Sequence, residues 1–224
     1  MTAFLSAIAL FLAAHVVPAA TGLRGYLIAR FGRRAYVAAY SLVSLAAIAW
    51  VIVAALDAPY IELWPPGPVL AAVPLVAMLP ASILMVAGAG QPNPLSVSFR
   101  GGLPDPRRVG LATLLRHPIL WAFFLWAASH LVANGDAVSA ILFGSLALFS
   151  LAGMRRLERR ARQHLSEADY AAAVAMTSGG IAARLRRSAS WRSAVQIGAG
   201  LVVYLLLLYL HEPIIGVAPL TWLA

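Results

Sequence analysis

Six long apolar runs constrain this chain more than any other feature. They cover residues 2–20, 36–56, 69–87, 114–133, 137–154 and 193–210. About twenty apolar residues in a helix are what the hydrocarbon core of a bilayer demands. The chain is 62% hydrophobic and only 11% charged, where a soluble domain carries about a quarter of its residues charged. The fold class that follows is all-α. It is a polytopic membrane helix bundle of about six transmembrane helices, with one cytoplasmic interfacial helix, all in a single domain over residues 1–224.

The charges give the bundle a direction. The net charge is +9 and every basic residue is an arginine. Counted by connection, the arginines number four, none, four with Arg116, none, and nine. Basic residues stay on the cytoplasmic side of a membrane, so six spans place both termini outside. In a bacterium that means an inner-membrane protein with periplasmic ends. Five spans would put the two richest connections on opposite sides. A basic chain can also bind nucleic acid, but membrane topology accounts for these arginines, and no nucleic-acid partner is expected. The first run lacks a positive leader and is followed by Arg24, Arg30, Arg33 and Arg34, the wrong order for a cleaved signal. It reads as a retained helix.

The last basic connection, residues 155–192, is more than a loop. Leu157, Ala161, Leu165 and Ala168 share one helical face, and Glu158 stands four residues before Arg162, a favourable helical pair. The fifth span is expected to run on as a helix, followed by a helix on the membrane surface. Ser178-Gly179-Gly180 should separate that helix from a second basic patch, which serves as a topological anchor or as an anionic-lipid or regulatory site. The absence of cysteine excludes disulfides, thiolate metal or haem ligation and thiol nucleophiles. Gly88-Ala89-Gly90 follows a bilayer helix, so it is no dinucleotide fingerprint. No metal-binding interval such as HExxH occurs.

Ionisable side chains inside bilayer helices are rare and functional by default, so the histidines carry the chemistry. His164 and His211 read as interfacial. His15 lies in the first span and is either a ligand facing the bundle or a packing hydrogen bond. Arg116-His117-Pro118 opens the fourth span. Pro118 suits the first turn of a helix, and the free N–H groups there favour an anion or cofactor. The alternative is a proline-started helix with an arginine anchor. His130 is thirteen residues beyond His117, about 220° around and about 20 Å along a helix, so the two cannot bind one ion. His15 lies roughly 13 Å from Arg24, and His130 roughly 21 Å from Arg116. The cross-helix pair that depth allows is His15 with His130. Two histidines from two helices are what haem b needs, one for each axial position.

These residues also carry a resemblance. His15 with Pro18 and Arg24, the segment YVAAYSLVSLAAIAW at 36–50, Ala58-Pro59 with Leu63-Trp64, Asn93-Pro94, RHPILWAFFLWAASHLVANGD at 116–136 and ILFG at 141–144 resemble the NnrU family of membrane proteins over nearly the whole chain. That family is associated with denitrification and is related to zeta-carotene isomerase, a membrane haem b enzyme. The resemblance implies His15 and His130 as the haem iron ligands. Arg24 and Arg116 are candidate partners of the propionates by charge and side, with His117 as a further cofactor contact. RHP followed by Glu158 is also similar to isoprenylcysteine carboxyl methyltransferase and bacterial thiol methyltransferases. That likeness implies an S-adenosylmethionine site at Arg116, His117 and Glu158. A third reading is a non-enzymatic membrane assembly factor. Besides the lipid bilayer, a hydrophobic small-molecule substrate or a redox partner is expected.

Overall fold

The structure is a computed structural model that describes residues 1–100, 102, 105 and 110–223. Arg107 and Arg108, counted above in the third connection, lie outside the described residues. Among those residues there is no strand, only an isolated bridge between Glu62 and Asp136. The helices are α1 (Thr2–Ala20), α2 (Leu23–Phe31), α3 (Arg33–Leu56), α4 (Pro68–Ala89), α5 (Pro118–Asn134), α6 (Ala137–His164), α7 (Glu167–Met176), α8 (Ile181–Ser188) and α9 (Trp191–Ile215). The chain is thus all-α. Five of the helices (α1, α3, α4, α6 and α9) are long and apolar enough to cross a membrane. In each, at most 17% of the apolar window is buried within the protein. The remaining apolar side chains need an apolar solvent, and a bilayer provides it.

The chain divides into two compact units. The first comprises Met1–Leu63 with Asp136–Val138. In it α1 packs on α3 and α2 packs on both. Phe4 and Ala7 of α1 are fully buried, and Val51 of α3 nearly so. The predicted first span is found with its expected ends. The first basic connection, expected as plain loop, instead contains α2. Thr21 makes the break, because its hydroxyl donates to the Val17 carbonyl at 2.8 Å while accepting from the Leu23 amide at 3.3 Å. Gly32, at φ +82°, separates α2 from α3. Arg33 and Arg34 then lie inside α3, which starts three residues before the apolar run does.

The second unit comprises Trp64–Gly135 and Ser139–Ala224. Helix α4 is its centre, and α5 and α9 both pack against it. Without a hydrophobic driving force between helices in lipid, small residues let backbones approach and gain dispersion contact. Two glycines do this here. A Cβ on Gly88 would meet Ile119 Cγ1 at 2.6 Å, and one on Gly200 would meet Ile83 Cα at 2.6 Å. Tyr204 of α9 also donates to the Leu75 carbonyl of α4 at 3.1 Å.

Helix α5 starts at Pro118, four residues later than the apolar run, because a proline at the first helical position presets the entry. Its 17 residues rise about 25 Å, at the short end for a span. It stops at Gly135, whose φ of +72° is left-handed. The Trp64 amide donates to the Gly135 carbonyl at 3.1 Å, and the Trp64 indole donates to the Val132 carbonyl at 3.1 Å. A Cβ at position 135 would press on the Trp64 carbonyl oxygen. Gly135→Ala should therefore lower stability by about 1–3 kcal/mol from backbone strain alone. Thermal unfolding in detergent reads this as a lowered Tm, and an unchanged Tm would refute the left-handed turn.

Helix α6 has 28 residues and rises about 42 Å, so it runs past its apolar segment into the basic connection as expected. Ser166 caps α7 by accepting from the Asp169 amide at 3.1 Å. Leu165, Tyr170 and Val174 pack against Leu95, Ala161 and Ala173, folding α7 back on the end of α6. The break at 177–180 precedes α8, as the glycines predict. Arg184 of α8 donates to the Leu114 carbonyl at 2.7 Å, and Gln196 of α9 accepts from the Leu111 amide at 2.9 Å. The start of α5, the end of α6, α7, α8 and the start of α9 thus gather at one arginine-rich end. Helix α9 runs five residues past the predicted Leu210, through Pro213, and ends at the left-handed Gly216. A proline in the last turn forfeits a single backbone bond, so the helix continues.

Candidate functional site

The arginine-rich end of the second unit gathers Arg116, His117 and Glu158. Arg116 and His117 precede α5, and Glu158 lies on the extension of α6. The Arg116 guanidinium donates to Glu158 Oε1 at 3.0 Å. It also donates to the Thr177 hydroxyl at 3.5 Å. Asn93 holds the peptide in place, donating to the Arg116 carbonyl at 3.0 Å while accepting from the Leu95 amide at 3.1 Å. Tyr170 of α7 donates its hydroxyl to the same Glu158 oxygen. The expected Glu158–Arg162 pair is not made. Arg162 donates instead to the Tyr170 hydroxyl at 2.8 Å and lies over its ring. Glu158 is turned inward toward Arg116, a partner that helical spacing could not foresee.

His117 is buried, with its Nε2 3.7 Å from Glu158 Oε2. Burial lowers its pKa below the ordinary histidine range. The Glu158 carboxylate opposes that shift, and Arg116 reinforces it. The neutral ring is therefore favoured. Its Nδ1 and Glu158 Oε2 are both buried without a hydrogen-bond partner among the described residues. Beside Arg116 lies a cavity of about 30 Å³ lined by Gln91, Asn93, Leu95, Thr113, Met176 and Thr177, room for about one water.

The second cluster is at the far end of α5. His130 lies fourteen residues from Arg116, about 21 Å along a helix, so the structure keeps the two apart. His130 Nδ1 is 2.8 Å from the Trp126 carbonyl. A carbonyl only accepts, so Nδ1 carries a proton and donates it; in the neutral ring the lone pair is then on Nε2. His15 is held the same way by the Phe11 carbonyl at 2.8 Å, within reach of the Tyr40 ring. His164 makes this bond to the Arg160 carbonyl in an exposed position, so the bond alone selects nothing. Surroundings distinguish His130. Its ring lies 6.0 Å from Trp126 and 5.2 Å from Phe143, and those two rings meet edge to face at 5.5 Å. Its third neighbour is the ring of His211, 6.4 Å away with 24° between the planes.

His15 and Arg24 belong to the first unit, and the other expected site residues to the second. Sequence reasoning missed Tyr170, Thr177 and His211. Tyr170 carried no signal beyond the Ser166–Asp169 cap that starts its helix. His211 carried one, since it and His130 both stand at the arginine-free ends of their helices. Among the described residues no group of three or more His, Asp or Glu is placed to hold a metal ion. No curated protein and no solved structure matches the chain. A family model described as NnrU protein matches residues 3–219, nearly the whole chain, and this multi-pass membrane protein therefore belongs to the NnrU family.

Proposed function

We propose that the protein binds haem b in the membrane, with His130 as an axial ligand, and serves redox or isomerase chemistry linked to denitrification. The carrying observation is the setting of His130, an imidazole whose Nδ1 is held by the Trp126 carbonyl and whose ring is walled by Trp126 and Phe143. This donor suits iron, which takes a proximal histidine nitrogen. A hydrogen bond from the ligand's other ring nitrogen orients the ring and raises its basicity. When bound, the haem would supply one-electron redox chemistry or an iron that polarises a substrate. Trp126 and Phe143 pack beside the ring, and Asn134, which donates to the His130 carbonyl at 2.7 Å, braces the last turn. His15, also named from the sequence, lies in the first unit, with its Nδ1 2.8 Å from the Phe11 carbonyl. Arg116, one of the propionate partners named from the sequence, is engaged by Glu158. Inner-membrane placement with periplasmic ends belongs to this reading and rests on the distribution of arginines.

The test is the visible spectrum of the protein purified from haem-sufficient membranes, oxidised and then reduced. The expected result is near-stoichiometric haem with sharp reduced α and β bands. His130→Ala should lower haem affinity by at least about tenfold. A protein that stays colourless after haem titration rejects the reading.

One observation favours a second reading. Arg116, His117 and Glu158, named from the methyltransferase likeness, converge from separate segments. An S-adenosylmethionine site there would require α7 to move, because the cavity beside Arg116 holds about one water. Calorimetric titration with S-adenosylmethionine tests it. Binding to the native protein that Glu158→Gln abolishes would support this reading, and no heat from the native protein would end it.

A further inference from the structure

We infer that α8 and the start of α9 form a binding site for an anionic phospholipid, independently of the haem reading. Helix α8 has two kinds of exposed side chain. Ile181 and Leu185, four residues apart, share one face, and both are more than half exposed. Arg186 and Arg187 lie about 120° and about 140° around the helix from that face, one to each side. An apolar stripe flanked by arginines is the pattern of a helix lying in the plane of the membrane surface. Depth agrees with this. Trp191, the first residue of α9, is 71% exposed, and tryptophans at the ends of spans favour headgroup level. One turn further, Val195 is also exposed, on a helix apolar enough to cross the membrane. The Ser193 hydroxyl donates to the Ser188 carbonyl. That bond pins the end of α8 beside the first turn of α9, at the level of Trp191.

The arginines here have charge to offer. No acidic residue occurs between Asp169 and Glu212, and among the described residues no carboxylate pairs with Arg186, Arg187 or Arg192. Arg184 has a different task, since its bond to the Leu114 carbonyl ties α8 to the protein. Arg187 donates to the Ser178 carbonyl, which orders its guanidinium and leaves the charge unopposed. Arg192 lies over the Trp191 ring, 5.2 Å from its centre, so cation and aromatic are held together. A guanidinium presents a fork of N–H donors that matches two phosphate oxygens. Ile181, Leu185 and Trp191 call for acyl chains, which a soluble phosphate or a nucleic-acid backbone lacks. A phospholipid with a negative headgroup supplies both. A topological anchor would need the charge alone, and the apolar face is what assigns a lipid. The corner is also preset. Ser190 caps α9 by accepting from the Ser193 amide at 3.3 Å, so little remains to be ordered on binding.

The test is native mass spectrometry of the full chain in detergent, titrated with phosphatidylglycerol and, separately, with phosphatidylcholine of the same chain length. The expected result is tighter binding of phosphatidylglycerol. The double variant Arg186→Gln with Arg187→Gln should weaken phosphatidylglycerol by about fivefold for each arginine removed and leave phosphatidylcholine unchanged. Arg155→Gln with Arg156→Gln removes the same charge from exposed positions on α6 and should have little effect. An equal loss in the two double variants would assign the selectivity to diffuse charge and overturn the site. So would a native protein that binds both lipids alike. Glycerol phosphate, a headgroup without chains, should not displace phosphatidylglycerol when added in excess. Displacement would make this a soluble-anion site and overturn the lipid assignment. If the α8 double variant misfolds, Arg186→Gln alone decides, because Arg186 is exposed: an unchanged affinity for phosphatidylglycerol would overturn the inference.

Discussion

Gly200→Ala should destabilise the second unit by about 1–3 kcal/mol, and Gly200→Leu by more than about 4 kcal/mol with loss of α9 from its seat on α4. A Cβ at position 200 would lie 2.6 Å from Ile83 Cα, 2.7 Å from Ile83 Cγ1 and 3.0 Å from the Ile83 amide nitrogen. Two of those atoms are backbone, so no rotamer change relieves the overlap and the helices must separate. Separation would also stretch the bond from Tyr204 to the Leu75 carbonyl. Gly198, two residues earlier on α9, has nothing within 4 Å of its virtual Cβ. Gly198→Ala should be neutral or stabilising by up to about 1 kcal/mol, the helix propensity gained. Thermal unfolding of the pair in detergent gives the comparison. Equal stability of the two alanine variants would show that α9 does not approach α4 at Ile83.

Glu158→Ala should destabilise the arginine-rich end by about 2 kcal/mol, because it strips the acceptor from two donors at once. Arg116 is about one-third exposed, with its side chain 35% accessible, and water will take up part of its charge. The Tyr170 hydroxyl keeps Arg162 as a neighbour but loses its acceptor. Glu158→Gln retains an acceptor oxygen and should lose about half as much. A cycle of Arg116→Ala, Glu158→Ala and the double variant should show a coupling of about 0.5–3 kcal/mol. Additive effects would mean that the carboxylate and the guanidinium do not meet. The same variants separate structure from function at this end, since Tyr170→Phe should weaken α7 docking while leaving Arg116 paired.

Much of this architecture was legible in order along the chain. The first apolar run became α1 with its predicted ends, and α6 ran on past Met154 because Leu157 and Ala161 continue its face. The break before α8 followed from adjacent glycines. Other ends depended on competing local effects. Pro118 delayed α5 by four residues, whereas Pro213 failed to stop α9, since proline is tolerated where few helical bonds remain to be lost. Helix α2 was hidden in a charged stretch, where the apolar criterion for a span says nothing about short helices.

By itself, the sequence determined that the chain is a helical membrane protein of the NnrU family, and it named His130, Arg116, His117 and Glu158. Run length and residue type carry that information, because a bilayer's thickness and the rarity of ionisable groups within it act on local sequence. Only the tertiary structure decided which side chains share a site. Glu158 had a helical neighbour four residues on, yet it pairs with Arg116, forty-two positions away. His211 had been set aside as interfacial, yet its ring faces that of His130 across two helices. The second pairing depends on how closely α5 and α9 seat on α4, and that closeness comes from the missing side chains of Gly88 and Gly200. A glycine's absent Cβ matters only against the particular neighbour it admits, and that neighbour is known only once the helices are packed.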